Sequence, residues 1–157
     1  MSQFTASKQQ NGSEITVTLG GHIDEDATFG SVTLEGASKL VLDLEGITAI
    51  NSCGIREWIK WMRTLPSAAE IVYRKCPKVI VDQINMVSGF LPEGGKVESF
   101  YVPYYSEATG NEKMVLFCEG SEFKGNEIYP PEETKDEKGE LMEMDVIEAK
   151  YFKFLKK

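Results

Sequence analysis

The chain has 157 residues and 41% hydrophobic residues, which fits one compact domain or one domain of about 100 residues with a small extension. Its formal net charge of -8 disfavours binding to nucleic acid or to an anionic membrane surface. The apolar runs are shorter than the roughly 18 residues that span a bilayer, and the first residues lack the pattern of a secretory signal.

The first strand is predicted at residues 15–19, where β-branched and apolar residues alternate with threonine. Gly20 and Gly21 break this strand or put a bulge into it, so residues 22–23 either begin a second strand or continue the first. The acidic residues 24–29 are predicted to form a short connection with at most one helical turn.

A nearly continuous apolar run at residues 39–44 predicts the next strand, and such a run is typical of a strand covered on both faces. Residues 45–46, Glu-Gly, are expected to end it. Residues 47–50 then lead to Asn-Ser-Cys-Gly at positions 51–54, where a helix is predicted to begin.

The helix that follows residue 54 is amphipathic. Trp61 lies at the edge of its apolar stripe, so we expect this side chain to be half exposed, either at the core edge or in contact with a partner. Pro66 is expected to stop the helix soon after Leu65. The stripe has the i, i+3, i+4, i+7 spacing of one helix face and consists of Ile55, Trp58, Ile59 and Met62.

Strands and helices continue to alternate after this helix. A strand is predicted at residues 70–74, a helix with Pro77 in its first turn and Gly89 as its C-terminal cap, and a strand at residues 97–105. Such alternation implies βαβ units, and therefore an α/β fold with a mostly parallel or mixed sheet. The apolar face of the second helix comprises Val79, Ile80, Ile84 and Val87.

Residues 106–157 differ in composition, so we predict two units, a domain at 1–105 and a small α+β extension at 106–157. The extension should hold a strand at residues 112–118, a polar stretch and a terminal helix. Asp145 is predicted to cap that helix, with Glu148 in a capping-box relation. The apolar stripe of the helix consists of Ile147, Tyr151, Phe154 and Leu155.

The three cysteines are odd in number and widely spaced, which favours free thiols in a reduced cytoplasmic protein. The sequence contains no phosphate-binding glycine loop, no serine nucleophile motif and no His-Glu-x-x-His zinc motif. We therefore predict that the protein is not an enzyme and has no cofactor. The cysteines are Cys53, Cys76 and Cys118.

The segment 39–65, KLVLDLEGITAINSCGIREWIKWMRTL, resembles the centre of the STAS domain (sulfate transporter and anti-sigma factor antagonist). In that family an apolar strand is followed by a short connector and by an Asp-Ser-Ser-Gly turn that opens an amphipathic helix. Residues 21–24, Gly-His-Ile-Asp, likewise resemble the family's Gly-x-x-Asp. The resemblance covers roughly residues 12–105 and implies a STAS-like mixed sheet with packed helices.

The resemblance also implies a non-catalytic protein-binding module in bacterial signalling. Its partner would be a regulatory protein such as an anti-sigma factor or a histidine-kinase-like ATPase. In the anti-sigma factor antagonists, a kinase phosphorylates the second serine of the turn and thereby releases the antagonist. The implied contact residues here are Asp24, Asn51, Ser52, Cys53 and Gly54.

Cys53 occupies the phosphoacceptor position, and Asn51 replaces the aspartate of the family's turn. Cysteine is not a substrate of serine kinases, and Ser52 matches the neighbouring serine. We therefore predict that the usual phospho-switch is lost. A thiol at the start of a helix can be reactive, which leaves a small-ligand or redox sensor as the alternative function, while the plain interpretation of Cys53 is a small side chain where serine usually sits.

The extension is similar to a small zinc ribbon that has lost its cysteines. Ser106 and Thr109 have the spacing of a Cys-x-x-Cys knuckle, but neither is a zinc ligand, and Cys118 is the only cysteine of the extension. Structural zinc needs about four Cys or His ligands. We therefore predict a metal-free remnant that hydrophobic packing holds together.

Overall fold

The computed structural model describes residues 3–27, 29, 36–65 and 68–156. Three sheets and three α-helices lie in this part of the chain, which confirms the predicted α/β class. The expected stop at Pro66 lies outside the described residues; the helix before it ends at Thr64, with Leu65 as its C-cap.

The main sheet is mixed and has five strands in the order β1-β2-β3-β4-β5. The first two strands form an antiparallel hairpin, and the last four run parallel. The sequence did not indicate β1, because its residues are polar and mostly exposed; backbone pairing to β2 accounts for its place at the sheet edge. The strands are β1 Thr5–Asn11, β2 Glu14–Ile23, β3 Lys39–Ile50, β4 Glu70–Arg74 and β5 Lys96–Val97.

The register between β2 and β3 shifts on both sides of the Gly20–Gly21 pair, which confirms the predicted bulge and shows that residues 22–23 continue the same strand. The prediction that residues 45–46 end β3 is wrong. Gly46 pairs with Gly20, and the strand continues to Ile50 because β2 supplies a partner along this whole length.

Helices α1, Ser52–Thr64, and α2, Lys78–Met86, are the two predicted crossover helices. Their buried residues join one apolar cluster with alternate residues of the parallel strands, such as Leu40, Leu42 and Tyr73. Val41 is buried on the opposite face, but this face also carries exposed ion pairs such as Lys39 with Glu14. The apolar run of β3 therefore has buried residues on both faces of the sheet. The face that carries Val41 is otherwise largely polar.

The single strand predicted at residues 97–105 is two strands in different sheets. Val97 of β5 pairs with β4, whereas β6, Ser99–Tyr105, pairs with β7 and β10 in a three-stranded antiparallel sheet. Glu98 lies at the crossing, where its carboxylate binds the Arg74 guanidinium at 2.7 Å. The remaining strands are β7 Glu112–Cys118, β8 Phe123–Lys124, β9 Glu127–Ile128 and β10 Glu143–Met144.

The chain ends in α3, Glu148–Tyr151, and a 3-10 turn at Lys153–Lys156. The predicted cap is wrong, because Ile147 occupies the N-cap position and the Asp145 N–H donates to the Pro103 carbonyl beside β10. Ile147 is 65% exposed instead of packed. An aromatic part of the same apolar cluster lies between this end of the chain and the three-stranded sheet, and contains Phe100, Phe117, Tyr151, Phe152 and Phe154.

Candidate functional site

Asn51 starts α1 in the way that the Asn-Ser-Cys-Gly turn predicts. Its backbone is extended, with φ -106° and ψ 178°, and its side-chain oxygen accepts a hydrogen bond from the Gly54 N–H at 2.8 Å. The Asn51 N–H in turn donates to the Ile23 carbonyl at 3.1 Å. These bonds satisfy one free amide of the helix and fix the start of α1 at the end of β2.

The acidic residues after β2 form a tight turn beside the start of α1. The Asp24 carboxylate accepts a hydrogen bond from the Asp26 N–H at 2.9 Å, and the Asn51 side-chain amide donates to the Glu25 carboxylate at 3.2 Å. A backbone hydrogen bond and the bond from Asn51 lower the pKa of Glu25. The structure therefore brings Asp24 and Asn51 to one surface and adds Glu25, whose only signal in the sequence was its place next to Asp24.

Gly54 is buried because the start of α1 lies directly against β2. A Cβ atom at this position would overlap the backbone carbonyl of Ile23. Of the five residues that the resemblance singled out, Gly54 thus has a packing role, and the exposed part of the turn is formed by Asn51 and Ser52.

Cys53 is half-buried in the first turn of α1. The Arg56 guanidinium, one helical turn further on, donates to its Sγ atom at 3.5 Å. The prediction of free thiols is confirmed for all three cysteines. Cys76 is fully buried, and this burial raises the pKa of its thiol, whereas Cys53 is accessible from solvent.

The prediction that Trp61 is half exposed is wrong, because only 7% of this residue is exposed. Its ring stacks on Phe29 at a centroid distance of 4.7 Å and meets Trp58 edge-on at 5.5 Å. The buried face of α1 is rotated from the predicted one, so that Ile55 and Ile59 are half-buried. Trp61 therefore belongs to the core and does not fit a partner contact.

Hydrogen bonds join the segment with knuckle spacing, Ser106 to Thr109, and the neighbouring Asn111 to Asp136 in the polar stretch. The Asp136 carboxylate accepts bonds from the Thr109 hydroxyl at 2.6 Å and from the Asn111 amide at 3.1 Å. The bond from Thr109, followed by bonds from the Glu140 and Lys138 N–H groups and then by that from Asn111, lowers the pKa of Asp136 to about 2. Ser106 is fully buried beside them. In the part of the chain that the structure describes, no group of three or more His, Cys, Asp or Glu side chains is placed to hold a metal ion.

No family model matches the chain, and a search of curated proteins gives no match either. None of the helices in the described ranges combines the length and the apolar character that crossing a bilayer requires.

Proposed function

We propose that the chain is a non-catalytic protein-binding module in bacterial signalling that works as the anti-sigma factor antagonists do. Its contact surface is the helix-start surface, which we define as Asp24, Glu25, Asn51, Ser52 and Cys53. The observation that carries the proposal is the hydrogen bond between Asn51 and Glu25, which couples the acidic turn to the beginning of α1.

The helix-start surface combines two features that recognise proteins. The first turn of α1 has no acidic residue of its own, so no side chain of that turn offsets the positive end of the helix dipole. Asp26 and Glu25 are exposed beside it. A partner that offers a carboxylate to the helix and a cation to the turn would pair with both.

The resemblance of residues 39–65 to the STAS domain supplies the class of partner, a regulatory protein such as an anti-sigma factor or a histidine-kinase-like ATPase. A cytoplasmic location belongs to the same proposal, since free thiols suit a reducing compartment. With Cys53 in the phosphoacceptor position, this surface lacks the serine that is phosphorylated in the related antagonists, and binding does not depend on phosphorylation.

Cys53→Asp places a negative charge where the related antagonists carry phosphate. We expect partner binding to weaken by at least about tenfold, because like charges across an interface are costly. An acidic residue in the first turn is compatible with the helix, so the variant should fold. Pull-down from bacterial lysate identifies the partner, and titration of the purified partner measures the affinity.

Cys53→Ala is the matched control for this experiment, because it changes the same side chain without adding charge or restoring the serine that the resemblance places at the phosphoacceptor position. It should bind as the wild type does. Equal affinity of the wild type and Cys53→Asp for the captured partner would show that the helix-start surface is not the contact.

One observation favours a second function, a redox or small-ligand sensor. The Arg56 guanidinium next to the Cys53 sulfur is the kind of neighbour that activates thiols. If this contact activates the thiol, Cys53 should react with iodoacetamide several-fold faster than Cys118, and Arg56→Gln should slow Cys53 while leaving the rate of Cys118 unchanged. Peptide mass spectrometry after timed alkylation reads both rates in one sample. Equal rates in the wild type would rule out an activated thiol.

A further inference from the structure

One face of the three-stranded sheet packs into the aromatic part of the core, and the other face lies outside it. Phe100, Val102 and Phe117 are fully buried on the core face. Because successive side chains alternate between the faces, Tyr101, Pro103 and Tyr105 lie on the outer face of β6. The outer face is therefore apolar in its centre.

Strand β7 continues this outer face. Its register places Leu116 opposite Tyr101 and Met114 opposite Pro103. Met114 is 45% exposed, and the other three are half-buried. We call these four residues and Tyr105 the tyrosine face.

Carboxylates surround the tyrosine face. Tyr105 lies in register with Glu112 on one neighbouring strand and Glu143 on the other, and both glutamates are exposed. The Tyr105 hydroxyl donates to Glu107 at 3.3 Å. At the opposite end, the Tyr101 hydroxyl donates to Glu45 at 2.7 Å. The rim of this apolar surface thus carries four carboxylates.

Two lysines of the described residues lie at this rim, namely Lys75, and Lys135, which lines one groove with Glu107 and Glu143. The Lys75 ammonium lies 3.6 Å from the Glu45 carboxylate. Lys113 of β7 is opposite Tyr104, so by the alternation of the strand it belongs to the other face. The rim remains acidic, and Glu112 and Glu143 form no ion pair within the described residues.

We propose that the tyrosine face is a second docking surface and that it binds a basic protein segment whose apolar side chains are flanked by Arg or Lys. Tyrosine and methionine are enriched at the centres of interfaces, and charged rims choose the partner. Arginine side chains of the segment would also stack on the tyrosine rings. The proposal goes beyond the helix-start surface and does not depend on it.

The acidic rim disfavours the other ligands that could bind an apolar sheet face. Anionic lipid or nucleic acid would bring its phosphates against four carboxylates. A second copy of the chain, docked through the same face by two-fold symmetry, would place the two acidic rims against each other. A basic segment is the occupant whose charge complements the rim.

The test uses a labelled peptide that alternates Arg and Leu, with an Arg-Ser and a Glu-Leu peptide of the same length as comparisons. Fluorescence anisotropy should show that the wild type binds the Arg-Leu peptide at least about tenfold more tightly than either comparison, a free-energy difference of about 1.4 kcal/mol or more. Binding should weaken as the salt concentration rises, because the rim is exposed.

Two matched pairs of variants locate the bound peptide. Met114→Ser should weaken binding several-fold, whereas Tyr129→Ser, at a residue that is 49% exposed next to β9, should not. The double variant Glu112→Gln/Glu143→Gln should weaken binding and flatten its salt dependence. The double variant Glu93→Gln/Glu132→Gln changes the net charge equally at exposed positions elsewhere and should bind as the wild type does.

The proposal stands only if the wild type prefers the Arg-Leu peptide and if, in each matched pair, the test variant loses more affinity for this peptide than its control does. It is overturned if this peptide does not bind, if it binds no better than the comparisons, or if either control variant loses as much affinity as its counterpart.

Discussion

Trp58→Ala should lower the free energy of unfolding by about 3–5 kcal/mol, the usual cost of removing a large aromatic side chain from a core. Trp58 is fully buried. Its ring stacks on Phe90 at a centroid distance of 5.1 Å and meets Phe29 and Tyr73 edge-on at 5.6 and 5.8 Å. No neighbour could fill the space without breaking these contacts, so a cavity would remain.

Polar contacts add to this cost. The indole N–H of Trp58 donates to the Tyr73 hydroxyl at 3.0 Å and to the Phe90 carbonyl at 3.1 Å. Burial raises the pKa of Tyr73 well above its ordinary value, so this hydroxyl stays protonated and itself donates to the Phe90 carbonyl. The Phe90 carbonyl thus keeps one donor in the variant, and the loss comes mainly from packing.

Urea denaturation followed by circular dichroism measures the effect, since the far-ultraviolet signal does not depend on Trp58 itself. Trp58→Phe is the matched control, because it keeps most of the ring volume. Its cost should be clearly smaller than that of Trp58→Ala. Similar small losses for both variants would contradict the central place of Trp58 in the core.

Gly54→Ala should destabilise the protein by about 1–3 kcal/mol, the usual cost of overpacking. This expectation reverses the intrinsic trend, because alanine is about 1 kcal/mol more favourable than glycine in a helix interior. The reason is the overlap between a new Cβ atom and the Ile23 carbonyl. That carbonyl belongs to the backbone of β2, so relief requires the whole start of α1 to move away from the sheet.

Cys53→Ala provides the comparison for this prediction, since it introduces the same side chain one position earlier, where Cys53 is half-buried. Its effect on the unfolding midpoint in urea should be small. A Gly54→Ala variant as stable as the wild type would show that α1 does not approach β2 closely.

The beginning of α1 could be predicted from the sequence because its signals are local. An asparagine before an amphipathic stripe is a good N-cap, and a nearly continuous apolar strand precedes it. The position of the acidic turn was harder to predict from the sequence. Asp24 and Asn51 are far apart in the sequence, and the parallel pairing of β2 with β3 brings the turn and the helix together.

The remaining differences arise from tertiary context. The polar residues of Thr5–Asn11 form a strand only because β2 offers its edge. Trp61 is buried because Phe29, which lies outside α1, stacks on it. Ile147 shows the opposite effect, since its place in an apolar stripe predicted burial, but the short α3 leaves it exposed. The periodicity of the sequence indicates which residues of a helix are apolar. The elements that pack against the helix determine which of these residues are buried.

The division of residues 97–105 between two sheets has a practical consequence for fragments of this protein. A chain cut after residue 105 would retain β6 but lose β7 and β10, the strands that pair with it on either side. Phe100, fully buried in the intact chain, would then lie next to two open strand edges, a combination that promotes self-association. Baits for interaction screens should therefore span the full chain, because a shortened chain would bind proteins nonspecifically through the unpaired edges of β6.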